Sequence, residues 1–93
     1  MKFIWDENKN QINSEKHGIS FERAIEAWGD PLGFDLFDEK HSSIEEDRWF
    51  YFGKMKNGEI IRVVYTELTG EVYRIITAYS DEFIRRIYNE ENE

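Results

Sequence analysis

Two glycine turns confine the second half of this chain more tightly than anything else in it. Residues 48–54, 60–66 and 72–79 are rich in aromatic and β-branched side chains. Short links containing Lys56-Asn57-Gly58-Glu59 and Thr69-Gly70-Glu71 separate the last two runs from their predecessors. Asn-Gly supplies the positive φ angles of a tight hairpin. Connections this short leave no room for a crossover, so the three runs are expected to pair as an antiparallel meander. A chain of 93 residues, of which 40% are hydrophobic and 16% aromatic, has room for one domain over 1–93 and enough apolar surface to fold it.

The first half reads as helices. Residues 2–5 suit a short strand or arm. Asp6 is an N-cap for a helix over 7–17, and Gly18 is its C′ stop. That helix is polar, with Ile12 its one apolar anchor. Ser20 caps a second helix over 21–28, with Ile19 and Ala24 in hydrophobic-staple positions. Phe21, Ala24, Ile25 and Trp28 form one buried stripe. Gly29 and Pro31 stop it. Residues 34–37 form a short strand and 38–47 a polar loop. Ser80 or Asp81 caps a last helix over about 82–89, with Phe83, Ile84 and Ile87 as its buried face. The fold class is α+β. Strict alternation along 72–79 puts Val72, Arg74, Ile76 and Ala78 on one side and Tyr73, Ile75, Thr77 and Tyr79 on the other. Neither side is plainly polar, so both should be covered, and three short helices leave room for a protein partner.

Composition narrows the function classes. There is no cysteine, which removes disulfides and thiolate metal sites. No apolar run approaches the length of a membrane span, and the amino terminus reaches Asp6 without a signal-peptide core, so a cytoplasmic location is expected. The two histidines, His17 and His41, have no ligand-like spacing, and no glycine-rich phosphate loop occurs; neither metal nor cofactor is expected. The formal charge is −8, from 12 basic and 20 acidic residues. That opposes non-specific nucleic-acid binding and suits a basic protein partner. A site for RNA would require the fold to gather a basic patch.

A set of motifs, in order, resembles one family. These are Phe3-Ile4-Trp5-Asp6-Glu7-Asn8-Lys9, Lys16-His17-Gly18-Ile19-Ser20-Phe21-Glu22-Arg23-Ala24 and Asp30-Pro31-Leu32. His41-Ser42, Glu46-Asp47-Arg48-Trp49 and Gly53 follow, then Val63-Val64-Tyr65-Thr66 and Val72-Tyr73-Arg74-Ile75-Ile76-Thr77-Ala78. Together they resemble the BrnT toxin family over residues 3–88. The resemblance implies a RelE-like fold, a small antiparallel sheet with two N-terminal helices and a C-terminal helix. It implies metal-independent RNA cleavage and a BrnA-type antitoxin that masks the toxin. It further implies a heterotetramer with two copies of each protein, and contact with operator DNA only through the antitoxin. Three features depart from the family pattern. Tyr79 stands where an arginine is usual, the basic run of the last helix is reduced to Arg85-Arg86, and that helix is one residue shorter before Tyr88.

Metal-free RNA cleavage needs a base for the 2′-hydroxyl, cations for the phosphorane and an acid for the leaving oxygen. Arginine binds phosphate through two parallel bonds, and aromatic rings stack on splayed bases. The catalytic candidates are therefore Arg62 and Arg74 as phosphate holders, His17 as the leading proton-transfer group, and Tyr79. The RNA-binding candidates are Lys16, Arg48, His41 and Tyr88. Each has a plainer reading. Arg62 and Arg74 suit salt bridges, Arg48 an ion pair with its acidic neighbours, His17 a helix C-cap, His41 a solvated loop, and Tyr79 and Tyr88 core packing. A rival reading of the whole chain is a non-catalytic toxin homologue kept as an antitoxin-binding co-repressor module.

Overall fold

The computed structural model describes residues 1–93. Both turn glycines take positive φ, Gly58 at 90° and Gly70 at 51°, and the strands they join pair as expected. β2 (Phe34–Phe37), β3 (Trp49–Lys54), β4 (Ile60–Thr69) and β5 (Val72–Tyr79) form a continuous antiparallel run. β1 (Lys2–Ile4) departs from a purely antiparallel sheet. It pairs parallel to β5, giving the order β1-β5-β4-β3-β2 across five strands.

The helix α1 (Glu7–His17) has the predicted caps. Asp6 accepts from the Asn8 and Lys9 amides at 2.8 and 3.1 Å, and Gly18 at φ 70° donates to Ser14 O. Its anchor is not Ile12, which is 54% exposed. Two buried asparagines hold the helix instead. Asn10 Oδ1 accepts from the Phe21 amide at 2.7 Å. Asn13 donates to the carbonyls of Ala78 and Ile19 at 2.8 and 2.9 Å, and accepts from the Ala78 amide and the Thr77 hydroxyl. The reason lies in the sheet: β1 pairs only with residues 72–74 of β5. Beyond that point the edge of β5 needs other partners, and buried backbone groups must find them.

The expected helix over 21–28 is two segments. A short α2 (Phe21–Ala24) is capped by Ser20, and a 3₁₀ turn (Ile25–Gly29) follows. The winding tightens where Ala27 meets β3: a side chain at Gly53 would come within 2.6 Å of Ala27 O. Trp28 then stacks on Tyr51 at 4.2 Å. These segments cover one sheet face, where Phe21, Ala24, Ile61, Val63, Ile75 and Ala78 belong to a core of 11 buried residues.

α3 (Glu82–Glu91), capped by Asp81, lies on the opposite face and covers one end of it. Its buried residues are Ile84 and Tyr88, packed with Phe52; Phe83 is turned outward, contrary to expectation, and Ile87 is partly buried. The loop of residues 38–48 lies over another part of this face, where the Thr66 hydroxyl donates to Asp47 O and Arg74 to Glu46, and part of the face between is left open.

The parity reading of β5 fails at one residue. Val64 pairs with Thr77 but Tyr65 pairs with Ile75, so Ile76 is a β-bulge. The extra residue shifts the alternation. Ile75 and Ala78 both enter the main core. Arg74, opposite Thr66, and Tyr79, opposite Arg62, come to share the other face.

Candidate functional site

The open part of the second face forms a concavity of about 230 Å³. Asp38, His41, Arg48, Phe50, Arg62 and Tyr79 line it, with Ile76 and Thr77 as its wall on β5. Arg62 is its centre. The guanidinium carbon lies 4.4 Å from the Phe50 ring centroid and 4.8 Å from that of Tyr79, in reach of cation–π attraction to both. None of the protein's five ion pairs includes it, and its Nε is buried with no hydrogen-bond partner. Burial pulls its pKa down, while the charges of Asp81 and Asp38 push it back. Arginine stays protonated under such pressure. A buried cation without a bonded counter-ion is costly, and an anion entering the concavity would relieve that cost.

His41 stands at the rim, beside a buried acid. Its Nδ1 lies 3.0 and 3.1 Å from the two Asp38 carboxylate oxygens. The Asp38 side chain is 5% exposed and that of His41 58%. The intervening loop is ordered by its own bonds. Asp38 N donates to Arg48 O at 2.8 Å, and Ser42 Oγ donates to Asp38 O while accepting from Arg48 N. An ionised carboxylate can only accept, so the tautomer that fits this contact carries its proton on Nδ1 and turns Nε2 away from Asp38. A base oriented by a third group is the general arrangement for moving a proton.

Glu46 lies between two arginines, bound to Arg48 Nε at 3.0 Å and to Arg74 Nη2 at 2.6 Å. The Arg48 hydrogen bond does most to hold this carboxylate below its ordinary pKa; burial opposes it, and the charges of Arg74 and Arg48 assist. One acid thus serves two guanidiniums, while Arg62 feels Asp81 and Asp38 through their charges and has no ion pair of its own.

The other candidates fall at different distances from this centre. His17 is outside the concavity, but its ring stacks on Tyr79 at 5.3 Å. Lys16 lines the adjoining cavity together with His17. Arg74 opens toward a further cavity beside Ile4 and Trp5. Tyr88 sits apart, on the buried side of α3. Its hydroxyl donates to Asp30 at 2.6 Å, and its pKa is pushed up to about 12 by burial first and then by that bond. Sequence reading missed Asp38 and Phe50. Asp38 had a signal, an acid three residues before a histidine in a turn-forming stretch. Phe50 had none, because stacking on an arginine of a neighbouring strand depends on register.

A sequence model described as "Ribonuclease toxin, BrnT, of type II toxin-antitoxin system" matches residues 5–82. No curated protein sequence matches the chain. Among solved structures, the crystal structure of the Brucella abortus ribonuclease toxin, BrnT, is similar. It has 26% sequence identity and a TM-score of 0.59, with 88% of this chain and 97% of that chain covered. With the family's sequence pattern running through most of its length and a BrnT crystal structure sharing its fold, the chain belongs to the BrnT family of ribonuclease toxins from type II toxin–antitoxin systems.

Proposed function

We propose that this chain is a metal-independent endoribonuclease whose centre is the Arg62–His41 concavity. The observation that carries the proposal is Arg62: a charged, partly buried guanidinium held between two rings, without a carboxylate, next to a histidine that a buried acid has oriented. In this reading His41 Nε2 takes the proton of the 2′-hydroxyl, and the 2′-oxygen attacks phosphorus. Arg62 and Arg48 neutralise the phosphorane. The bond to the 5′-oxygen breaks, and the Tyr79 hydroxyl supplies the proton that oxygen needs. A 2′,3′-cyclic phosphate and a free 5′-hydroxyl result, and solvent resets both side chains. Asp38 is a positioning residue. His17 passes from leading base to a neighbour of Tyr79, and Tyr88 takes no part because its hydroxyl is committed to Asp30.

Family membership implies an antitoxin. We assign a BrnA-type protein to this role, in a heterotetramer with two copies of each chain. It would cover the open sheet face and carry any contact with operator DNA. The charge of −8 supports a partner that is basic overall, and the incompletely buried rings of Phe50 and Tyr79 beside Arg62 support its seat on this face. The RelE-like reading of the fold rests on the antiparallel run β2–β5 with α3 across one face. A cytoplasmic site of action accords with a chain in which no helix is long and apolar enough to cross a membrane.

The test is cleavage of single-stranded RNA by the purified chain in the presence of EDTA, with end-group analysis for the cyclic phosphate. His41→Ala should slow it by roughly 10²–10⁴-fold. An intact, antitoxin-binding chain that leaves RNA uncut would sink the nuclease and favour the co-repressor reading, which Tyr79 in place of the family's arginine motivates.

A further inference from the structure

Three cavities lie side by side along β5, and the bulge residue Ile76 is a wall of all three. The first, of about 390 Å³, holds Trp5, Lys9 and Arg74. The second, about 180 Å³, holds Lys9, Ile12, Lys16 and His17. The third is the Arg62 concavity. Lys9 is shared by the first two, and Thr77 by the last two.

The middle cavity is built by α1. Lys9, Ile12, Asn13 and Lys16 stand at i, i+3, i+4 and i+7, one stripe of the helix about 10 Å long at 1.5 Å per residue. Asn13 is bonded to Ala78 at the strand edge, which fixes the stripe over β5 with a lysine on each side. Neither lysine is in an ion pair. Two acids line these cavities, and each has a partner of its own. Asp6 accepts from two helix amides, and Asp38 contacts His41. Ile12, exposed although apolar, lies in the floor between the lysines. The His17 ring then stacks on Tyr79, whose ring also lies against Arg62, so the stripe and the proposed catalytic concavity meet at one side chain.

We infer that the three cavities form one track for single-stranded RNA, in which Lys9 and Lys16 hold phosphates flanking the cleavage site and Ile12 contacts a base. This rests on the ribonuclease reading and adds a path for the strand outside the catalytic concavity. On a surface whose net charge repels polyanions, such a row of unpaired cations selects an extended strand over a short fragment.

The test uses the full chain carrying His41→Ala to prevent cleavage, and a fluorescein-labelled single-stranded RNA dodecamer read by anisotropy over a salt series. Adding Lys9→Ala and Lys16→Ala should weaken binding tenfold or more and lower the slope of log K against log salt by about 1.4, two phosphates at about 0.7 each. With His41 restored, the same double variant should lose efficiency on the dodecamer through KM, and lose more there than on a dinucleotide too short to reach either lysine. Both lysines are exposed, so folding is not at risk. Unchanged affinity and slope would overturn the track while leaving the nuclease standing. Failure of the unsubstituted chain to cut either substrate would instead remove the nuclease. A double variant that keeps RNA affinity but loses its co-expressed antitoxin would assign the stripe to a protein and also overturn the track.

Discussion

The side chain of Asn13 bonds both backbone groups of Ala78, donating to its carbonyl at 2.8 Å and accepting from its amide at 3.1 Å. One carboxamide does for β5 what the next residue of a strand would do, at the point where β1 has ended. Replacing it with Ala leaves the Ala78 and Ile19 backbone groups without partners in a buried place. Each such loss costs about 1–3 kcal/mol, and three groups are affected, so Asn13→Ala should lower unfolding stability by about 3 kcal/mol or more. A urea midpoint within experimental error of the parent would contradict this.

Arg62 should trade stability against activity. A charge withdrawn from water without an ion-pair partner is costly to the fold. Arg62→Leu is therefore expected to be at least as stable as the parent in thermal melts, yet to cut no RNA and arrest no growth. Arg62→Lys keeps the charge but loses the planar stack on Phe50 and Tyr79, and should retain less than a tenth of the activity.

Asp38→Asn is expected to act on kcat. An amide can present its N–H to His41 Nδ1, which favours the tautomer with the proton on Nε2 and spoils the base. The fall should be tenfold or more with KM little changed, because Asp38 touches His41 rather than RNA. A matching rise in KM would argue for a structural role instead.

Glu46 gives a pH dependence with a definite sign. Its folded pKa lies below the ordinary value of 4.5, held there chiefly by Arg48 and with help from Arg74. Its stabilisation is complete above the unfolded pKa and is lost as pH falls through the folded value. Stability of the parent should therefore drop more steeply on acidification below about pH 4.5 than that of Glu46→Gln. Parallel curves from denaturant titrations at stepped pH would refute the pairing.

At the alkaline end Tyr88 runs the other way. Its pKa is raised from 10.0 to about 12 by burial and by Asp30. The neutral hydroxyl is favoured in the folded chain, so its contribution is full below pH 10 and fades as pH climbs toward 12. Tyr88→Phe should flatten that limb.

Local chemistry made much of this fold readable. The glycine turns and the Asp6, Ser20 and Asp81 caps act over a few residues, and the strands between them followed. What escaped was decided at longer range. Ile12 suited an apolar anchor, but α1 lies on a strand edge whose free backbone groups called for Asn13. The run 21–28 has α-helical spacing, yet close packing of Ala27 on Gly53 tightened its second half. Arg62 and His41 were in the candidate pool from the start. Their meeting depended on which face β3, β4 and the 38–48 loop presented, and no window of sequence carries that.

The bulge at Ile76 makes the carboxyl-terminal end of β5 sensitive to length rather than to chemistry. Remove that one residue, and Ile75 and Thr77 become neighbours opposite Tyr65 and Val64, in the plain alternation of an unbroken ladder. Ala78 would still enter the interior and Tyr79 would still stand opposite Arg62. A single-codon deletion there would therefore spare both faces of the strand and be felt instead where Ile76 is a wall of all three cavities, whereas a deletion on either side of it would have no spare residue to absorb it.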